Sequence, residues 1–177
     1  MSTSRARIEP LALEHEARFL EGVRRSRELH RDYVSPPATP EAFAAYVKRF
    51  DADTHYGFAV LHSGGDEMVG SIAVNEVVRG KFWSGYLGYQ AFAPMQGRGL
   101  MRQGLALVLD HAFGTLGLHR VEANIQPGNR SSIGLVARLG FRQEGFSPRY
   151  LEIDGEWRDH ERWALLADEW PAPARDR

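Results

Sequence analysis

The chain contains no cysteine. Disulfides, thiolate nucleophiles and the common zinc ligand sets are therefore excluded. Charge of one sign is missing too: 22 basic against 23 acidic residues leave a formal charge of -1, so no basic surface for nucleic acid is expected. No apolar run approaches the ~18 residues of a membrane span. The start, Met1-Ser-Thr-Ser-Arg-Ala-Arg, lacks the apolar stretch of a secretory signal. A cytoplasmic location with no membrane partner is the expectation. The seven histidines are scattered rather than gathered at ligand spacing, which predicts no metal site.

What remains is ordinary globular composition, 43% hydrophobic and 25% charged over 177 residues, which suits one domain with a packed core. That domain is expected over 1–170, with a frayed tail at 171–177. A short strand is predicted from Arg5 to Leu11. Ala17, Leu20 and Val23 recur at helical spacing and predict a helix from Glu14 to Leu29. After a loop from His30 to Pro37, Thr39 reads as an N-cap with Pro40 at the first helical position, opening a helix to Phe50. Three strand-like runs follow, Tyr56–Leu61, Met68–Val78 and Phe82–Phe92, separated by glycine-containing turns that imply an antiparallel meander. Met101, Leu105, Val108, Leu109 and Ala112 share a helical face that ends near Gly114 and Gly117. Val121–Ile125 reads as a strand and Ser131–Leu139 as a helix stopped by Gly140. A final hairpin, Phe141–Glu152 and Glu156–Leu166, turns at Asp154-Gly155. The order β-α-α-β-β-β-α-β-α-β-β is a mixed α/β (α+β) domain.

Gln96-Gly97-Arg98-Gly99-Leu100-Met101 stands where a strand gives way to an amphipathic helix. Such a turn presents backbone N–H groups at a helix N-terminus and can hold a phosphate, which suggests a nucleotide-bearing cofactor. The stretch has neither the Lys-Ser/Thr ending of a Walker loop nor the glycine triad of a dinucleotide fold. A plain chain reversal is the competing reading.

Three further motifs lie downstream in order: Asn129-Arg-Ser-Ser132, Leu139-Gly140-Phe141 and Glu144-Gly145. Together with Gln96-x-x-Gly99-x-Met101 they resemble the GCN5-related N-acetyltransferases (GNAT) over nearly the whole chain. A narrower resemblance, to the RimJ-type ribosomal-protein-alanine N-acetyltransferases, is carried by Gly99-Leu-Met101, by Ala137 to Phe146 and by Tyr150 to His160. It implies a central, mostly antiparallel sheet with flanking helices, whose fourth and fifth strands splay, and acetyl-CoA as cosubstrate. By the same resemblance the pyrophosphate sits on the backbone N–H groups of Gly97, Arg98, Gly99, Leu100 and Met101, with Gln96 also among the cofactor-binding residues and Arg98 adding charge. The pantetheine amides pair with the strand edge at Tyr89 and Ala91, and Asn129 lies beside the arm. Asn129 and Ser132 also have a plain explanation, since both residue types favour helix starts.

Many relatives carry a tyrosine as general acid four residues before the glycine of Gly-Phe, where this chain has Val136. Ser132 is the better candidate acid. The general base is less legible. Gly85 stands where several relatives keep a glutamate, and Leu151 where a ribosomal-protein relative does. Glu152 is next door but on the opposite strand face, which makes it a weak candidate base; Glu76, Glu122 and Asp154 remain open. Tyr33 and Tyr150 are expected to line the acceptor cleft. A protein α-amine titrates near ~7.7–8.0 against ~10.4 for lysine, so a missing base favours an α-amino acceptor. The expected partner is a protein N-terminus, with the N-terminal alanine of a ribosomal protein the case the resemblance implies. A small-amine acetyltransferase and a domain that binds acetyl-CoA without turnover are the alternatives. The oligomeric state stays open.

Overall fold

The computed structural model describes residues 5–171; most of the expected C-terminal tail, 172–177, lies outside them. A seven-stranded sheet runs β1 (Ala6–Pro10), β2 (Tyr56–His62), β3 (Met68–Val78), β4 (Ser84–Ala91), β5 (Arg120–Ile125), β7 (Glu156–Leu166) and β6 (Arg142–Ile153) in spatial order. Every neighbouring pair is antiparallel except β4 and β5. That exception follows from connectivity, because β4 and β5 are joined through a helix that crosses back over the sheet.

Among the described residues five α-helices flank the sheet: α1 (Glu16–Arg25), α2 (Arg27–His30), α3 (Pro40–Lys48), α4 (Leu100–Asp110) and α5 (Arg130–Arg138). Alternation along the strands divides the core in two. Phe58 and Val60 on β2 join Leu105, Val108 and Leu109 of α4, Val136 of α5 and Val121 of β5 on one face. Ala59 and Leu61 join Phe19 and Val23 of α1 and Phe43 of α3 on the other.

The expected helix over Glu14–Leu29 is three pieces, a 3₁₀ turn at Leu13–His15, then α1 and α2. Ser26 marks the second break. Its hydroxyl donates to the Gly22 carbonyl at 2.6 Å and accepts from the Ala93 N–H at 2.8 Å, a side chain turned back onto the helix that also pins the end of β4. The strand expected from Phe82 starts only at Ser84, since Trp83 has a left-handed φ of 43°. Thr39 caps α3 as expected, accepting from the Ala42 N–H at 3.2 Å with Pro40 at the first helical position. Past α4 the chain widens into a π-helical turn at His111–Thr115, and Gly117, at φ 67°, ends it.

Candidate active site

The pairing of β4 with β5 runs from Ser84–Arg120 to Leu87–Ala123 and stops, although β4 continues to Ala91 and β5 to Ile125. A wedge-shaped gap therefore opens between them. On its other side β4 stays bonded to β3, where the Phe92 N–H donates to the Val69 carbonyl at 2.8 Å. Antiparallel ladders alternate, so the backbone groups of Ala91 and Tyr89 point the other way, into the gap. One lone pair there is already used: His30 Nε2 donates to the Ala91 carbonyl at 2.7 Å. A carbonyl only accepts, so Nε2 carries the proton and Nδ1 does not. Nδ1 is buried with no partner, and burial lowers the His30 pKa.

The gap leads into the glycine turn. Gly97 and Gly99 have φ of 76° and 77°, left-handed values that only glycine adopts freely. A Cβ at either position would meet nothing within 4 Å, so the space over the turn is open. Gly99 is the N-cap of α4, and the Gln103 N–H closes the first turn onto the Gly99 carbonyl at 3.1 Å. The N–H groups of Leu100 to Arg102 have no intrahelical acceptor and form a cradle for an anion. Gln96, Gly97 and Arg98 are exposed around it. The side chains of Leu100 and Met101 belong to the core, so these two can serve a ligand only through their backbone.

Across the gap, Asn129 caps α5. Its Oδ1 accepts from the Ser132 N–H at 3.2 Å, so the plain explanation of the pair falls on the asparagine and leaves the serine hydroxyl unspent. Ser132 Oγ instead forms a very short hydrogen bond with the Tyr89 hydroxyl. Burial pushes the Tyr89 phenol up to about 12, so it stays protonated. Sequence reasoning used Tyr89 for its backbone alone. Period-two alternation in β4 carried the missing signal, since it puts Tyr89 on the helical face where α5 packs.

No carboxylate converges on this hydroxyl pair among the described residues. Glu152 is exposed on β6 opposite Trp157. Glu122 is paired with Arg120 Nε at 2.8 Å, and Asp154 accepts from the Ser35 hydroxyl. Glu76 lies 3.5 Å from His55 Nε2.

On the opposite face of β4 lies a cavity of about 460 Å³, within the usual range for small-ligand sites. Its walls are the 34–37 loop, one side of α3 with Arg49, and Ser71, Gly88, Tyr89 and Gln90 of the sheet. Tyr33 is not in the wall. Its hydroxyl donates to the Gly128 carbonyl at 3.1 Å, and with Gln126 Nε2 donating to the Asp32 carbonyl at 2.7 Å it ties the loop to the β5–α5 turn. Tyr150 also stands outside the wall, half-exposed with its ring centroid 6.2 Å from that of His160.

The features set along β4 are thus an anion cradle after its end, an unpaired strand edge suited to amides and a hydroxyl pair at Tyr89, with a cavity on the far side of the strand. Such a track suits an elongated ligand that carries a pyrophosphate and amides. Residues 5–142 match the family described as acetyltransferase (GNAT) domain, and the chain belongs to that family. It is similar to the [ribosomal protein uS5]-alanine N-acetyltransferase of Escherichia coli, 41% identical over 113 residues that make up 64% of this chain and 58% of that protein. The probable N-acetyltransferase YjcK of Bacillus subtilis is 31% identical over 135 residues, 76% of this chain and 75% of that one. A solved structure of Mycobacterium smegmatis RimJ in complex with CoA-disulfide superposes with a TM-score of 0.86 at 28% identity, covering 96% of this chain and 85% of that chain. The protein is thus an N-acetyltransferase that uses acetyl-CoA, and the splayed β4 and β5 expected of the family are present.

Proposed function

We propose that this enzyme acetylates the N-terminal α-amine of a protein, with a ribosomal protein beginning in alanine as the substrate class. One observation carries the reading: the cavity beside β4 has no carboxylate in its wall. Lysine and polyamine nitrogens are almost wholly protonated near neutral pH and need a base, whereas an α-amine at ~7.7–8.0 is already neutral in a useful fraction. Similarity to an enzyme named for the alanine of uS5 supports the same substrate class.

The chain's residues divide the work along the track. Backbone N–H groups of Gly97 to Met101 hold the pyrophosphate, with Gln96 and Arg98 at the rim, and the free edge of Tyr89 and Ala91 aligns the pantetheine amides beside Asn129. Acetyl-CoA supplies an activated acyl carbon with a thiolate leaving group. The acceptor amine enters from the cavity, its nitrogen bonds to the carbonyl carbon and the carbon–sulfur bond breaks. Ser132 Oγ gives a proton to the departing sulfur and is resupplied from water through Tyr89, while the amine's surplus proton passes to water, so the enzyme ends each turnover with both hydroxyls protonated. No covalent enzyme intermediate is required.

A competition assay tests this reading. A peptide with a free N-terminal alanine is expected to be acetylated faster than the same peptide blocked at its N-terminus and carrying a lysine, with a rate that rises through the titration of the α-amine. A faster blocked peptide, or faster spermidine, rejects the α-amino acceptor. Tight acetyl-CoA binding with no turnover on any amine would mark a non-catalytic domain.

A further inference from the structure

The cavity beside β4 has one charged residue in its wall, Arg49, at the C-terminal end of α3. The guanidinium has no ion-pair or hydrogen-bond partner among the described residues. What sets it apart is its place in the cavity wall; Arg7, Arg24, Arg25, Arg31, Arg79, Arg120, Arg142 and Arg158, which lie elsewhere, are each within 4 Å of a carboxylate. The other polar groups of the wall offer no counter-charge. Gln90 Nε2 donates to the Ser71 hydroxyl at 3.0 Å, and both groups are neutral; the Tyr46 phenol is pushed up by burial and so stays neutral too. Ser35 spends its hydroxyl on Asp154, which stands outside the wall, and the rest is largely apolar, with two prolines and two alanines.

Such a wall favours a small apolar group near β4 and a negative charge some way off, within reach of a planar fork of N–H donors that matches a carboxylate. It disfavours a second positive charge on the acceptor, which would meet Arg49 with no carboxylate in the wall to screen it. We propose that the cavity selects acceptors whose reactive amine lies within a residue or two of a carboxylate, that Arg49 binds this carboxylate, and that polycationic amines are rejected by the same charge. The proposal rests on the reading of this cavity as the acceptor side of the enzyme. The carboxylate can be an acidic side chain near a protein N-terminus or the α-carboxylate of a free amino acid.

Initial rates on a set of short peptides that begin with alanine and differ only in Asp, Asn or Lys at the second and third positions separate these cases, with free alanine and spermidine as further acceptors. For the native enzyme KM is expected to rise from Asp to Asn to Lys, by about 2- to 5-fold at each step, the range of a solvated ion pair. Arg49→Gln flattens the order and Arg49→Glu reverses it. Calorimetric titration of the same peptides onto the enzyme–coenzyme A complex should give the same order without turnover, and melting curves confirm that each variant folds. Equal affinity for the Asp and Lys peptides, or an order untouched by Arg49→Glu, overturns the proposal while leaving acetylation of N-terminal α-amines intact. Preference for free alanine over every peptide, lost in Arg49→Glu, keeps the role of Arg49 and overturns the protein substrate. Spermidine as the best acceptor overturns both.

Discussion

Ser132 and Tyr89 touch across 43 positions of sequence, and their contact decides what each hydroxyl can do. The cap of α5 is made by Asn129 with the backbone of residue 132, so Ser132→Ala leaves that cap in place. It removes the donor nearest the proposed thiolate and strands a buried phenol, at a cost of about 1–3 kcal/mol in stability. Turnover should fall ~10- to 100-fold with little change in coenzyme affinity. Tyr89→Phe keeps the strand edge and removes only the resupply of the proton, so its kcat should fall less and its pH profile should shift. In the double variant the stranded phenol is gone, and stability should recover while kcat stays low. Recovery of kcat together with stability would reduce the pair to a packing feature. At this scale the sequence was half legible. Val136 and Gly85 showed which familiar groups are missing, but the replacement partner of Ser132 could be found only once strand and helix were superposed in space.

The elements were legible where a local rule governs them and obscure where a distant contact does. Thr39-Pro40 opens α3 as its chemistry requires, and the hairpin turns at Asp154-Gly155. The break at Ser26 was hidden, because nothing local distinguishes a serine bound to the end of β4 from one inside a helix. The same region packs as tightly as it bonds. A Cβ on Gly22 would come within 2.4 Å of the Phe92 ring, so α1 rests directly on the residue that follows β4. His30 of α2 completes this clamp through the Ala91 carbonyl, and its buried, bare Nδ1 gives the clamp a pH dependence. Desolvation lowers the pKa of His30, as it does for His111 and His160, so the unfolded chain binds these protons more readily. Stability is then fully present above the unfolded value of ~6.5 and is lost as pH falls below it toward the folded values. Denaturant titrations at about pH 8, 6.5 and 5.5 should show this decline. His30→Gln, which retains a donor but cannot titrate, should make it shallower, and an unchanged slope would mean that the other histidines carry the effect.

At the scale of the whole molecule, the sheet is continuous only through the four parallel pairs that join β4 to β5. Beyond Leu87 the two halves, β1 to β4 and β5 to β6, face each other across a gap that the enzyme's own cosubstrate is suited to bridge. A ligand that binds only the folded chain adds RT ln(1 + [L]/Kd), about 2.7 kcal/mol at a concentration of 100 Kd. For a domain of this size that corresponds to a rise of roughly 5–10 °C in Tm. Acetyl-CoA should therefore raise Tm progressively with concentration. The glycine turn supplies the control. At φ 77° with open space above it, Gly99 tolerates aspartate and asparagine about equally well as backbone, because both can adopt the left-handed conformation at modest cost. Only aspartate brings a negative charge to the cradle made by the N–H groups that open α4. Gly99→Asp should abolish the acetyl-CoA shift, whereas Gly99→Asn, matched in shape and strain, should keep part of it. Equal shifts in the two variants, or a native-sized shift in Gly99→Asp, would place the pyrophosphate somewhere other than this turn.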